Sequence, residues 1–157
     1  MMSIPLVAWV SGTLDGMSRT VSPQVLAQVK EVFECWNERD FEGMLDMWAE
    51  DGVFDVSAVF ADLAPTRGRE EVSRCWQEML ESLDGLRMDP IEVFSLGSRR
   101  YVVHMRLWGK GKRSGAEVDQ RYGYVCTFDE DGKCLHGRLL PDLASAFAVG
   151  QETASLT

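Results

Sequence analysis

The stretch IEVFSLGSRRYVVHMRLWGKGKRSGAEVDQRYGYVCTFDEDGKCLHGRLL, residues 91–140, decides the fold of this 157-residue chain. It breaks into four apolar-rich runs, 91–96, 101–108, 118–128 and 134–140, dominated by Val, Tyr, Phe and Leu. Such runs favour extended backbone, in which side chains two apart share a face. Gly97-Ser98, the Gly-rich segment 109–115 and Glu130-Asp131-Gly132 separate them. Connections this short return the chain beside itself, so the stretch predicts a four-stranded antiparallel meander. Alternation puts Val103, Met105, Leu107, Tyr122, Tyr124, Gly137 and Leu139 on one face. His104, Arg106, Trp108, His136 and Arg138 fall on the other.

Upstream the period changes to helical. Ser22-Pro23 is a helix start, with Ser as N-cap and Pro at the first helical position. Val25, Val29, Val32, Phe33 and Trp36 then form one stripe. Asp40 caps a short second helix whose Phe41, Met44, Leu45 and Trp48 share a face. Asp51-Gly52 turns the chain into a strand over 53–59, and 60–68, with Pro65 and Gly68, reads as a loop. A third helix runs over 69–83 on Val72, Cys75, Trp76, Met79, Leu80 and Leu83, stopped by Asp84-Gly85. Residues 1–20 read as a poorly anchored extension, 21–145 as one domain, and 146–157 as a small, polar tail.

The expected class is therefore α+β: three N-terminal-half helices packed on a curved antiparallel sheet. Twisted strands wrapped about helices make a cone, and its wide end leaves space for a pocket. Composition supports an ordinary globular domain, 45% hydrophobic and 26% charged. A net charge of -9 repels a phosphate backbone and no basic stripe offsets it, which argues against nucleic acid. The apolar segment 4–10 is too short to span a membrane and lacks a basic n-region. Cys35, Cys75, Cys126 and Cys134 show no metal-site spacing, and with His104 and His136 complete no metal pattern. Free thiols point to a reducing, cytoplasmic setting.

The words Val29-x-x-x-Phe33-x-x-Trp36-Asn37-x-x-Asp40-Phe41, Trp48-Ala49-x-Asp51 and Arg67-Gly68-Arg69-Glu70-Glu71-Val72 resemble the nuclear transport factor 2-like superfamily, over about residues 21–142. Within it the chain looks most like the SnoaL-like branch, which includes polyketide cyclases and is related to ketosteroid isomerases. The resemblance implies a homodimer through the outer sheet face (His104, Arg106, Trp108, His136 and Arg138) and a pocket between helices and inner sheet face. It implies enzymes that act on apolar small molecules (isomerases, cyclases, dehydratases, epoxide hydrolases), or non-catalytic binders.

The ketosteroid isomerase pattern needs a carboxylate base and two buried donors facing an apolar cavity. Aligned by turns, the base position falls on Val56, directly after Asp55; the neutral acid falls on Tyr124 and the helix tyrosine on Val32. The last-strand base of epoxide hydrolases and SnoaL-type cyclases falls on Leu139. Asp119 and Arg121 point away from the pocket by alternation. What remains is Asp55, Asp62, Tyr122 and Tyr124. An inward phenol can donate to a carbonyl or enolate oxygen, or simply be a core aromatic. Asp55 turns inward, and becomes a general base, if a bulge shifts the register by one residue; otherwise it is a surface charge. Asp62 belongs at the pocket mouth. Phe33, Trp36, Trp76, Val103, Met105, Leu107 and Leu139 are the expected walls.

Two functions fit these residues. One is an isomerase, dehydratase or cyclase acting on a hydrophobic carbonyl compound (polyketide, terpenoid or steroid-like). Tyr122 and Tyr124 polarise the carbonyl, Asp55 moves the proton, and no metal or organic cofactor is needed. The other is a non-catalytic dimeric module that binds a small apolar ligand or a protein.

Overall fold

The computed structural model describes residues 21–97 and 99–155; the expected extension 1–20 lies outside them. Helix α1 (Pro23–Glu38) starts where Ser22 Oγ accepts from Val25 N, and α2 (Phe41–Asp46) where the Asp40 carboxylate accepts from Gly43 N. Strand β1 (Trp48–Asp55) follows, then β2 (Thr66–Arg67), α3 (Arg69–Ser82), β3 (Leu83–Gly97), β4 (Arg100–Gly111), β5 (Glu117–Phe128), β6 (Cys134–Leu140) and α4 (Leu143–Ser155). The six strands form one curved, unclosed sheet in the order β2-β1-β6-β5-β4-β3.

The meander of β3 to β6 is antiparallel throughout, as expected. The sheet as a whole is mixed, because β1 lies parallel to β6. Asp51 and Gly52 sit inside β1 rather than in a turn. Asp84 and Gly85 do not break the chain either. Gly85 takes a φ of 62° at an irregularity in β3, which carries straight on from α3.

The inner sheet face and α1 to α3 bury one large core that includes Leu26, Val29, Phe33, Trp36, Val72, Trp76, Met79, Val103, Met105 and Leu139. Two of the sequence words prove to be clamps for this packing. Asn37 acts as a surrogate strand residue: its Nδ2 donates to Met88 O at 2.7 Å, and its Oδ1 accepts from Met88 N at 2.9 Å. Arg39, left-handed at the α1 C-cap, donates to Leu86 O at 2.7 Å. On the other side Arg69 donates twice to Trp48 O, at 3.0 and 2.6 Å, fastening α3 to β1.

The residues expected to form a tail are instead the helix α4. Asp142 caps it, accepting from Ser145 N at 2.7 Å, and α4 lies on the outer sheet face. There Phe94, Val102, Val125, Leu140 and Ala146 make a second core, with Phe147 against Phe94 at 5.0 Å. Gly123 permits the approach, since a Cβ at that position would lie 2.5 Å from Ala146 Cβ and 2.7 Å from Asp142 O. The domain therefore has helices on both sheet faces.

Candidate functional site

Between α1 to α3 and the inner sheet face lies a cavity of about 60 Å³. Phe33, Trp36, Trp76, Met105, Tyr124 and Leu139 line it. Val32, Met44, Trp48, Phe54, Val56, Met79 and Met88 complete the wall. Val32, Met44, Trp48 and Met79 belong to helix stripes legible in the sequence, but which core residues border a void is a matter of three-dimensional packing. Trp48, Phe54 and Trp76 meet edge to face, with centroids 5.8 to 6.0 Å apart. That contact is favourable between stiff rings, and it holds the wall open. Four of the lining residues are methionines, from α2, α3, β3 and β4. Their unbranched thioethers repack at little cost, so the wall yields.

Tyr124 brings the one hydroxyl among the described residues of the lining. Burial pushes its phenol well above the ordinary value, so it is neutral and a donor at any physiological pH. Among the described residues its oxygen has no hydrogen-bond partner. The ring lies across Gly137, with the hydroxyl directly over that residue's Cα; a Cβ there would fall 2.7 Å from Tyr124 Cζ and 3.2 Å from Trp48 Cη2. Three indoles, those of Trp36, Trp48 and Trp76, also line it, and the enclosed Nε1 of Trp36 has no partner among the described residues.

The other expected site residues are placed elsewhere. Val103 and Leu107 face inward but are packed in the core, outside the cavity wall. Tyr122 also faces inward, packed against the core's margin beyond the cavity, and burial raises its phenol. Asp62 is exposed on the loop before β2. Asp55 does not turn inward. The irregularity of β1 falls between Trp48 and Val53, before the decisive residue, so Phe54 and Val56 point in and Asp55 points out. Its carboxylate accepts from Ser57 N and Oγ, at 2.9 and 2.6 Å, and faces Arg138 Nε at 3.7 Å. Among the described residues no carboxylate or imidazole lines the cavity. Burial pushes the Cys75 thiol up to about 11 and that of Cys126 up to about 12, which disfavours their thiolates.

The rest of the outer face is polar. Arg106 stacks its guanidinium 3.9 Å from the Trp108 centroid and holds Asp119 through two bonds of 2.8 Å. Trp108 thus finds a partner within its own chain. His104 has an enclosed Nδ1 without a partner, and burial lowers its pKa.

This fold, a helix-covered curved sheet around an apolar inner cavity, is that of the nuclear transport factor 2 and ketosteroid isomerase-like proteins. The sequence matches the SnoaL-like domain over residues 29–136, and the chain belongs to that family. A comparison with curated proteins gives no match. Among solved structures, TerC co-crystallised with polyporic acid aligns with a TM-score of 0.66 at 19% identity, covering 83% of this chain and 99% of that one. Rv0760c from Mycobacterium tuberculosis, in complex with estradiol-17beta-hemisuccinate, aligns at 0.63 and 19%, covering 76% and 94%. A protein of ketosteroid isomerase-like fold from Catenulispora acidiphila, in complex with trimethylamine, aligns at 0.65 and 14%, covering 82% and 92%. At these identities the likeness is one of fold. No helix among the described residues is long and apolar enough to cross a membrane.

Proposed function

We propose that this chain binds a small, largely hydrocarbon molecule bearing a carbonyl-type oxygen, held by the Tyr124 hydroxyl. The observation that carries the reading is one neutral, unpartnered phenol in an otherwise apolar, aromatic and methionine-rich wall. Burial of the ligand's hydrocarbon supplies affinity at about 25 cal/mol per Å². One hydrogen bond in a dry site fixes its orientation. A dry cavity of ~150 Å³ is needed for a benzene-sized guest, so ring-sized ligands enter as the methionines shift. Complexes of structural neighbours with small organic molecules support this reading by analogy of fold.

Turnover of such a compound by isomerisation, dehydration or cyclisation, without a cofactor, is the second reading. The phenol favours it, because a donor aimed at a carbonyl stabilises an enolate. The outward Asp55 counts against it, because it leaves the cavity wall without a base. A homodimer through His104, Arg106, Trp108, His136 and Arg138 belongs to both readings, beside the part of the outer face that α4 covers. A cytoplasmic setting fits the four free thiols.

The test is native mass spectrometry of the protein with a library of hydrophobic carbonyl compounds, followed by mass analysis of what is released. Retained ligands should lose about tenfold in affinity to Tyr124→Phe, which removes a buried hydrogen bond. Failure of the wild-type protein to hold any of them overturns the proposal; released products of altered structure establish turnover.

A further inference from the structure

Gly137 lies in the middle of β6, where a residue without a side chain weakens a strand. Its φ is not positive, so the backbone conformation there does not call for glycine. What excludes a side chain is space. A Cβ would lie against the Tyr124 hydroxyl, 2.7 Å from Tyr124 Cζ and 3.2 Å from Trp48 Cη2. Both of those rings line the cavity, whereas Gly137 stands behind them. The glycine is thus a slot in the sheet that receives the far end of the phenol.

A methyl group in the slot would drive the phenol out of it. Carbon atoms rest about 3.5–4.0 Å apart, so the Cζ contact of 2.7 Å obliges the ring to move by about 1 Å. Sideways movement is closed. Trp48 stands at one side, and Leu139 and Cys126 are buried on the same sheet face, Leu139 directly across from Tyr124 and Cys126 directly across from Gly137. The open direction is off the sheet, into the void. Taken as a sphere, a cavity of about 60 Å³ is only about 5 Å across, so a wall that advances by about 1 Å takes roughly a fifth of its width.

We infer that Gly137 is a size determinant of the site: by drawing the Tyr124 ring into the sheet it keeps the cavity deep enough for ring-bearing carbonyl compounds, where an advanced ring would admit only short aliphatic ones. This rests on the reading of the cavity as a ligand site. A ring-sized guest already requires the methionines to shift, so it has the least room to lose. Gly137 touches no ligand in this arrangement; it acts through the position of Tyr124.

The experiment titrates 2-butanone and acetophenone, both ketones, into the full chain and into Gly137→Ala, followed by NMR. A weakened hydrogen bond or a general loosening lowers both affinities together. The size determinant lowers the ratio of acetophenone to 2-butanone affinity, and Gly137→Ala should reduce that ratio by about tenfold. A ratio unchanged within about twofold overturns the inference, whatever happens to the two affinities separately. If Gly137→Ala does not fold, Tyr124→Leu decides from the opposite side, since it empties the slot instead of filling it. That variant should raise the ratio by about fivefold, and an unchanged or lowered ratio overturns the inference. Absence of binding of both ketones to the wild-type protein overturns the pocket reading itself, and the size determinant with it.

Discussion

Gly137→Ala tests the geometry around Tyr124 most directly. The new methyl would lie 2.7 Å from Tyr124 Cζ, with the hydroxyl oxygen closer still, against an ordinary contact of at least 3.4 Å. The ring cannot swing aside freely, because the new Cβ also meets Trp48 at 3.2 Å and Leu139 is buried beside it. Overpacking of this kind costs about 1–3 kcal/mol. Replacing Gly by Ala also narrows the unfolded ensemble, which returns about 0.4–1 kcal/mol. The clash wins, and a net loss of about 1–2 kcal/mol corresponds to roughly 2–8 °C in Tm for a domain this size. Thermal and denaturant unfolding of the wild type, Gly137→Ala, Tyr124→Leu and the double variant form a cycle. With the phenol gone the added methyl meets only the milder Trp48 contact and should cost far less, giving a coupling of about 1 kcal/mol or more. Equal costs of Gly137→Ala in both backgrounds would refute the placement of Tyr124 over the glycine.

Asp55→Asn should leave ligand affinity within about twofold, since the carboxylate lies outside the cavity; a tenfold loss by calorimetry would restore it to the site. A chain ending at residue 141 bares Phe94, Val102, Val125 and Leu140. It should aggregate or bind a hydrophobic dye in light-scattering and fluorescence assays, because a contiguous apolar patch seeks cover. Burial lowers the pKa of His104, with Glu92 opposing and Arg121 reinforcing. The unfolded chain therefore takes up the proton first, so this contribution to stability is complete above about pH 6.5 and is lost as pH falls below it. Denaturation at pH 7.5 and 5.5 should show a smaller drop for His104→Gln than for the wild type, and identical drops would refute the linkage.

The parts of this molecule that depend on local rules could be read without coordinates. Ser22 and Asp40 announce their helices because a side-chain oxygen and a free N–H lie three residues apart. Strand parity alone aims Tyr124 inward. Parity could not decide Asp55, because an odd register shift in β1 reverses it, and where such a shift falls depends on pairing with β6 some eighty positions away. The parallel β1–β6 pairing is non-local for the same reason. Tyr122 and Leu107 share the inner face with Tyr124 yet miss the void, whose extent depends on the summed volumes of residues from eight elements. Helix α4 left a trace in Asp142-Leu143-x-x-Ala146-Phe147-x-x-Gly150, a cap followed by helical spacing. Its small residues made that stripe faint. The Gly at 150 that weakens the pattern is what lets the helix lie against Leu96, Val102 and Val125.

The clamp at the start of β3 also governs how the sheet can grow. β3 is the last strand on its side, where bare peptide groups would invite another chain to add itself. Arg39 occupies the carbonyl of Leu86, Asn37 occupies both groups of Met88, and Pro90 has no N–H to offer. From Leu86 to Pro90 that border is sealed against β-augmentation, so strand addition at this edge of the sheet is left to the stretch that follows Pro90.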